Sequence, residues 1–299
     1  MDLKRVSSAL LGLPLVIIVL ILGNKYVIDV VMSIVAIISL QEYFNAFNKY
    51  IIDAILTVVA LIGMHEYIKC CSSKDAKIIK WISYVSTLVI LFAHVIEAGI
   101  LTKILIMAIP LLLMILFLHV IVTDQKITYT DVAYTLLGIL YVTGSVLFIS
   151  LTYGIEKNGI HMGKVYVWYI MLSAWGTDIF AYLVGKHFGK HKFSKVSPNK
   201  TIEGCIAGIL SAVIVCLIYT FAINTFFAYE INMINIGIVS ILLSIAGQIG
   251  DFSASVIKRN FDVKDYSNLF PGHGGMLDRI DSLMFIAPVT FAIFGLLLI

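Results

Sequence analysis

Acidic, basic and glycine residues are concentrated between Ser255 and Asp281, in a chain that is otherwise largely apolar. Asp278 and Asp281 lie three residues apart, so on a helix both carboxylates share one face. Asp251 lies just upstream, inside an apolar helical pattern. If the turn that precedes Asp278 brings it to Asp251, two oxygen donors of the type that Mg²⁺ prefers come together. We therefore predict that Asp251 and Asp278 form a metal site.

The turn and the basic residues of this stretch suit a phosphate ligand. Gly274 and Gly275 have no Cβ and would let the backbone approach a phosphate closely. His273 could act as a general base, but a lipid phosphate is already a competent nucleophile, which favours a phosphate contact. The cationic side chains that could neutralise phosphate charge are Lys258, Arg259, Lys264 and Arg279. The stretch predicts Mg²⁺-dependent phosphoryl or nucleotidyl transfer; a juxtamembrane loop without a catalytic role is the alternative.

Two further polar groups precede this stretch. Asp178 lies inside an apolar run, where an ionised carboxylate is costly unless it is paired or bound to a metal. The loop 185–204 carries five lysines before the start of a helix, which indicates an anion site for nucleotides or lipid phosphates. A structural Asp and a loop that only fixes topology are the alternatives. The predicted substrate-binding residues are Asp178, Ser197, Lys200, Thr201, Glu203, Ser255, Gly274, Gly275 and Asp281.

The elements that must position these residues are apolar helices. The chain is 60% hydrophobic and 13% charged, whereas globular domains carry about 25% charged residues. Its apolar runs have membrane-spanning length, which predicts an all-α polytopic membrane protein. The predicted spans are 9–22, 26–45, 51–67, 81–98, 103–122, 131–153, 165–185, 204–223, 233–256 and 280–299. Because the first two are short and adjacent, we expect nine or ten transmembrane helices.

The distribution of basic residues predicts the orientation. Loops 68–80, 123–130, 186–203 and 257–279 hold fourteen Lys and Arg residues, against four in the opposite loops. By the positive-inside rule the first set faces the cytoplasm, and the polar site with it. If all three spans before residue 68 cross the membrane, Lys4 and Arg5 would lie outside, which conflicts with this orientation. We expect residues 1–130 to form N-terminal transmembrane helices and residues 131–299 to form the catalytic region.

The stretch from Ser255 to Asp281 also resembles a known family. Its pattern S-x-[apolar]-K-R-x4-K-D-x-S-x2-F-P-x-H-G-G-M-x-D-R-I-D matches the signature of phosphatidate cytidylyltransferases, also called CDP-diacylglycerol synthases, over 27 residues. Upstream motifs around Asp178 and around Ser197–Gly204 are similar to family motifs in the same order. The resemblance covers about residues 165–285 firmly. One departure is Ala254, where the family usually has Glu, which removes a carboxylate beside the predicted metal site.

The resemblance implies that CTP and phosphatidate react to CDP-diacylglycerol and pyrophosphate. It implies Mg²⁺, with K⁺ as a second ion, held at Asp251 and Asp278. The cations of the signature, Lys258, Arg259, Lys264 and Arg279, would contact CTP or lipid phosphate. We expect CTP, phosphatidate and membrane lipids as partners, no nucleic acid, and a homodimer as one possible assembly. The expected location is the cell inner or plasma membrane.

Two other functions fit part of the sequence. A CTP-dependent polyprenol or dolichol kinase would share a membrane-bound nucleotide site but transfer the γ-phosphoryl group. A transporter would use Asp178 as an ion-coupling carboxylate. The concentration of polar residues at one face and the lack of an evident repeat argue against the transporter.

Overall fold

The apolar runs of the sequence form helices. The computed structural model describes residues 49–72, 76–93, 98–123, 126–157, 159–194, 197–227, 229–272 and 274–297. The helices are α1 (Lys49–Cys71), α2 (Lys80–Ala93), α3 (Ala98–Val122), α4 (Tyr129–Gly138), α5 (Ser145–Tyr153), α6 (Gly163–Phe188), α7 (Ile202–Phe227), α8 (Met233–Asn260), α9 (Leu277–Ile280) and α10 (Leu283–Phe291). These ranges contain isolated β-bridges but no β-strand. The all-α prediction is confirmed for this part of the chain.

Five of the described helices are long and apolar enough to cross a membrane. They are Tyr50–Cys71, Tyr129–Tyr153, Gly163–Phe188, Ile202–Phe227 and Met233–Asn260. Each exceeds the roughly 20 residues that a bilayer core of about 30 Å requires. The chain is therefore a membrane protein. Three shorter apolar helices accompany them: Lys80–Phe92, Ile109–Val122 and Leu283–Leu297. The predicted spans 9–22 and 26–45 lie outside the described residues, so the total of nine or ten remains a prediction.

Two predicted spans contain irregular turns. The span predicted at 131–153 consists of α4 and α5, joined by a π-helical segment, Ile139–Gly144. The final predicted span, 280–299, begins at the last residue of α9 and contains α10, which a second π-helical segment, Ala292–Leu297, follows. Such segments are rare and occur often at functional sites. Hydrophobic runs do not reveal them, because α- and π-helical turns bury the same kinds of side chain.

Small residues bring α6 and α7 close together. Gly204, Gly208 and Ala212 recur at every fourth position of α7, which aligns them on one face. A Cβ at position 204 would lie 2.6 Å from the carbonyl oxygen of Ala181, and one at position 208 would lie 3.0 Å from that of Thr177. No larger residue fits position 204 without a shift of the backbone. The approach places the part of α6 that carries Asp178 against the start of α7.

A second close approach joins α8 to the junction of α9 and α10. A Cβ at Gly250 would lie 2.6 Å from the carbonyl oxygen of Asp281, and one at Gly247 would lie 2.8 Å from the Ile286 side chain. Because Asp251 follows Gly250 directly, this packing carries it towards Asp281. Helix packing thus brings together two aspartates that are far apart in the sequence.

An apolar cluster lies beneath the signature and includes residues from both predicted regions. Tyr67 of α1, Val142 of the π-helical segment, Ala254 of α8 and Leu277 of α9 are all buried in it. A core shared in this way couples the position of α1 to that of the signature. The prediction that residues 131–299 form the catalytic region concerns function and remains a prediction.

Candidate active site

A polar cavity opens between the second half of α6, the start of α7, the second half of α8 and the loop 189–201. Its volume is about 640 Å³, within the range of roughly 300–1,000 Å³ that small-molecule sites occupy. Asp178, Lys200 and Asp251 line it. The other polar lining side chains are Thr177, Tyr182, Lys186, Lys192, Ser197, Asn199, Thr201, Cys205 and Gln248. Negative, positive and neutral groups therefore face one space, as an anionic ligand with a counter-ion requires.

Asp178, Asp251 and Asp281 lie within electrostatic range of one another, and the first two line the cavity. Ser282 Oγ donates a hydrogen bond to Asp178 Oδ2 at 3.3 Å, which connects α6 to the residue after Asp281. Asp251 lies beside the same backbone through the contact of Gly250 with Asp281. The negative charges of Asp251 and Asp178 both act on Asp281, and the positive charge of Lys258 partly offsets them. Like charges held together in this way favour a cation among them.

Lys200 connects the loop to these carboxylates. Its Nζ forms an ion pair with Asp251 Oδ2 and lies 4.1 Å from the centre of the Phe252 ring. Phe252 also stacks on Phe193 of the loop, with ring centres 4.7 Å apart. Lys200 and Phe193 therefore both hold the loop against Phe252 of α8.

The rest of the loop is ordered by hydrogen bonds to the start of α7. Phe193 N donates to Lys200 O at 3.0 Å, and Ile202 N donates to His191 O at 2.9 Å. His191 Nδ1 lies 2.6 Å from Glu203 Oε1. Gly204 N donates to Thr201 Oγ1 at 3.2 Å, so Thr201 caps the helix. Of the predicted substrate-binding residues of this loop, Ser197, Lys200 and Thr201 line the cavity, whereas Glu203 bonds to the loop.

Asp278 has a different environment from Asp251. Lys258 Nζ donates to Asp278 Oδ1 at 2.6 Å, and the two side chains are 11% and 5% exposed. Tyr266 N and Gly275 N each donate to Asp278 Oδ2 at 2.9 Å. Both carboxylate oxygens are thus engaged by the protein. A metal ion at Asp278 would have to displace Lys258 or share these oxygens.

The glycine turn surrounds carboxylates of the protein itself. Gly274 has φ +81°, a conformation that glycine adopts without strain. A Cβ at Gly275 would lie 2.6 Å from Glu66 Oε1. Glu66, on α1, is a residue of this site that the sequence did not reveal. The available signal was an acidic residue inside the predicted apolar span 51–67, which by itself suggests a function.

The chain is similar to known protein families and to individual relatives. A model of the cytidylyltransferase family matches residues 46–297. The chain belongs to the cytidylyltransferase family. It is 38% identical over 176 residues to the phosphatidate cytidylyltransferase of Staphylococcus haemolyticus (strain JCSC1435). This match covers 58% of this chain and 64% of that protein. The chain is 34% identical over 185 residues to the protein of the same name from Bacillus subtilis (strain 168), covering 61% and 65%. Each match thus spans less than two thirds of the relative's length.

The remaining predicted residues of this family member lie around the signature. Arg259, Lys264 and Arg279 are exposed, and Arg259 Nη1 donates to Val263 O at 3.1 Å. Arg279 lies within electrostatic range of Asp178. Ser255 is partly exposed. His273 lies outside the described residues, so its predicted phosphate contact remains a prediction.

Ala254, where a Glu was expected from the resemblance, is completely buried. It packs in the apolar cluster with Tyr67, Tyr266 and Leu277. A carboxylate at this position would need a polar partner within that cluster. The apolar neighbours therefore match the alanine that this chain carries.

The site can be tested for the Mg²⁺ that the resemblance implies. Among the described residues, no group of three or more His, Cys, Asp or Glu side chains has a geometry that could hold a metal ion. Mg²⁺, however, is usually held by one or two carboxylates together with substrate phosphates and water. Asp251 and Asp178 face the cavity, and each offers carboxylate oxygens. The donor set fits a magnesium ion whose coordination the substrate completes.

Proposed function

We propose that this protein transfers the cytidylyl group of CTP to phosphatidate, which gives CDP-diacylglycerol and pyrophosphate. The observation that carries the proposal is the cavity in which Asp178, Asp251 and Lys200 meet beside three apolar helices. A nucleotide and a lipid phosphate can both reach such a place, since one arrives from water and the other along the bilayer. The family match and the names of the relatives support the same activity.

The proposed binding of CTP uses the basic lining of the cavity. Lys186, Lys192 and Lys200 face the space from two sides, and their charges suit a triphosphate. The exposed cations of the signature, Arg259 and Arg279, would draw the lipid phosphate towards the same place. These assignments follow the predicted substrate-binding residues, with Thr201 and Glu203 shaping the loop that presents Lys200.

The proposed reaction is an in-line displacement at phosphorus. An oxygen of the phosphatidate phosphate attacks the α-phosphorus of CTP, the bond from that phosphorus to the bridging oxygen breaks, and pyrophosphate leaves. The attacking phosphate is already ionised, so no general base is needed. A bound Mg²⁺ would supply stabilisation of the charge on the phosphate oxygens.

In this scheme Lys200 exchanges partners. Its ammonium group pairs with Asp251 in the structure, and we infer that it turns from there to the CTP phosphates, which would leave Asp251 able to hold a metal ion. Asp178 and Asp281 are the proposed neighbours that complete the acidic side of the site. That Asp278 also holds the metal ion stays a prediction, and this scheme does not use it, because Lys258 and two backbone amides engage both of its oxygens.

The topological expectations extend this proposal. The positive-inside distribution supports a site that faces the cytoplasm, in the cell inner or plasma membrane. Nine or ten spans, a homodimer and a role for K⁺ remain proposals that rest on the sequence.

Product analysis tests the function. The purified protein in detergent should convert CTP and phosphatidate, in the presence of Mg²⁺, to equal amounts of pyrophosphate and CDP-diacylglycerol. ATP, GTP and UTP in separate reactions measure the nucleotide choice. Release of CDP with a polyprenol or dolichol as acceptor, and no pyrophosphate with phosphatidate, would favour the kinase and contradict the proposal.

A further inference from the structure

Glu66 is a buried carboxylate on α1 that binds the signature turn. Ser267 Oγ donates to Glu66 Oε1 at 2.6 Å, and Met276 N donates to the same oxygen at 2.9 Å. Leu277 N donates to Glu66 Oε2 at 2.8 Å. The residue is 3% exposed. Three bonds thus connect α1 to a segment about two hundred residues further along the chain.

The partners of Glu66 explain why a carboxylate is required there. All three partners are donors, and they are divided between its two oxygens. Glutamine could not reproduce this pattern, because one of its two terminal atoms donates instead of accepting. Within the described residues no Lys, Arg or His forms an ion pair with Glu66. Its charge is therefore held by neutral donors, two of which are amides at the start of α9.

The turn around Glu66 is built from three consecutive amides. The Gly275 amide donates to Asp278, and those of Met276 and Leu277 donate to Glu66. A Cβ at position 275 would lie 2.6 Å from Glu66 Oε1, so a larger residue there would displace the Glu66 carboxylate from its donors. The two carboxylates together fix the backbone from which the following residues project.

The segment fixed in this way leads directly to the cavity. Arg279 and Asp281 follow Leu277 within four residues. Asp281 lies beside Asp251 through Gly250, and the next residue, Ser282, donates to Asp178. A shift of the turn would therefore move the acidic end of the cavity.

We propose that Glu66 is a positioning residue of the proposed cytidylyl transfer. It acts by holding the Met276 and Leu277 amides, which sets where Arg279 and Asp281 stand relative to the substrates. It contacts none of the reacting atoms. The kinetic part of this inference rests on the proposed function, whereas its structural part does not.

Substitution of Glu66 tests the inference with two readouts. We expect Glu66→Gln to lower kcat per folded enzyme by about tenfold to a hundredfold, because small misplacements of catalytic groups have effects of this size. The KM for CTP should change by less than about threefold, since the cavity lysines do not depend on this turn. Amide hydrogen exchange of peptides that contain residues 275–282 should become faster than in the wild type.

A matched control and a second variant keep the test decisive. Ser267→Ala removes one donor of Glu66 but leaves both amide bonds, so kcat should stay within about threefold of the wild type. Glu66→Asp keeps the charge but shortens its reach, and it should show the losses of Glu66→Gln if the latter does not fold. Wild-type kcat and exchange in the Glu66 variants would overturn the inference. So would a lower yield of folded protein with unchanged kcat per folded molecule.

Failure of the proposed function would be recognised separately. If the wild-type protein made no CDP-diacylglycerol, the proposed reaction would fail on that result alone. The exchange comparison would still decide the structural part: faster exchange in Glu66→Gln supports the positioning of the turn, and unchanged exchange contradicts it.

Discussion

The acidic end of the cavity and the signature turn use the same residue type in opposite ways. In the turn, Asp278 and Glu66 accept six hydrogen bonds between them, from Lys258, from Ser267 and from four backbone amides. At the cavity, Asp178 and Asp251 face an open space and have few partners among the described residues. Engaged carboxylates fix a backbone, whereas carboxylates with free oxygens can bind a cation or a substrate. We therefore propose that the turn has a structural role and that the cavity carries the chemistry.

The largest expected effect comes from the cavity side of this comparison. Asp251→Asn should lower the rate of CDP-diacylglycerol formation by about a thousandfold, because it removes the charge proposed to hold the metal ion. Thermal unfolding in detergent should change little, since the carboxylate is partly exposed. The measurement is pyrophosphate release at saturating CTP. A variant that keeps wild-type activity would contradict the assignment of chemistry to the cavity.

The turn side predicts a loss of stability. Asp278→Asn leaves the buried Lys258 ammonium without its counter-charge, which should lower the free energy of unfolding by about 3–5 kcal/mol. Thermal or chemical unfolding in detergent measures it. The double variant with Lys258→Met should recover part of the loss, as a coupled pair requires. An Asp278→Asn protein of wild-type stability would mean that the pair is weaker than its geometry indicates.

The packing that positions Asp178 can be disturbed from α7. Gly204→Ala places a methyl group 2.6 Å from the Ala181 carbonyl oxygen and should lower the free energy of unfolding by about 1–3 kcal/mol. Gly237→Ala is the matched control, since no atom lies within 4 Å of a Cβ at that position of α8. It should leave stability unchanged or slightly higher. Equal stabilities of the two variants would contradict the close approach of α6 and α7.

The smallest expected effect concerns the loop that carries Lys200. Phe193→Ala removes the stack on Phe252, an aromatic contact worth about 0.5–1.5 kcal/mol. Because Phe193 is exposed, we expect the loss in the KM for CTP, which should rise by up to about tenfold while kcat is retained. Initial rates over a range of CTP concentrations measure both. An unchanged KM would show that the Phe193 contact does not order the loop.

The sequence predicted the elements of this fold well. Except for α9, which lies in the polar signature, the described helices coincide with apolar runs, because burial in lipid or protein requires long apolar segments. It also predicted site roles for Asp178 and Asp251, as carboxylates in apolar runs, and for Lys200, as part of a basic loop. The cavity brings these three together.

The pairing of side chains was not predictable from the sequence. Nothing in the local pattern shows that Asp278 meets Lys258 or that Glu66 reaches Met276, because these contacts join different helices. The close approach of α6 and α7 was also missed, although Gly204 and Gly208 have the spacing of small residues at helix interfaces. The π-helical segments have no signal in hydrophobicity. Residue types therefore predicted where the chemistry lies, and the packing shows which carboxylate has which partners.

Mn²⁺ binding tests most directly whether Asp251, and not Asp278, holds the metal ion. Mn²⁺ can replace Mg²⁺ as a paramagnetic probe, so its binding in the presence of CTP can be measured on the folded fraction of the wild type, Asp251→Asn and Asp278→Asn. If the cavity holds the metal ion, Asp251→Asn should lose nucleotide-dependent Mn²⁺ binding and folded Asp278→Asn should retain it. Loss of binding in Asp278→Asn together with retention in Asp251→Asn would contradict the account.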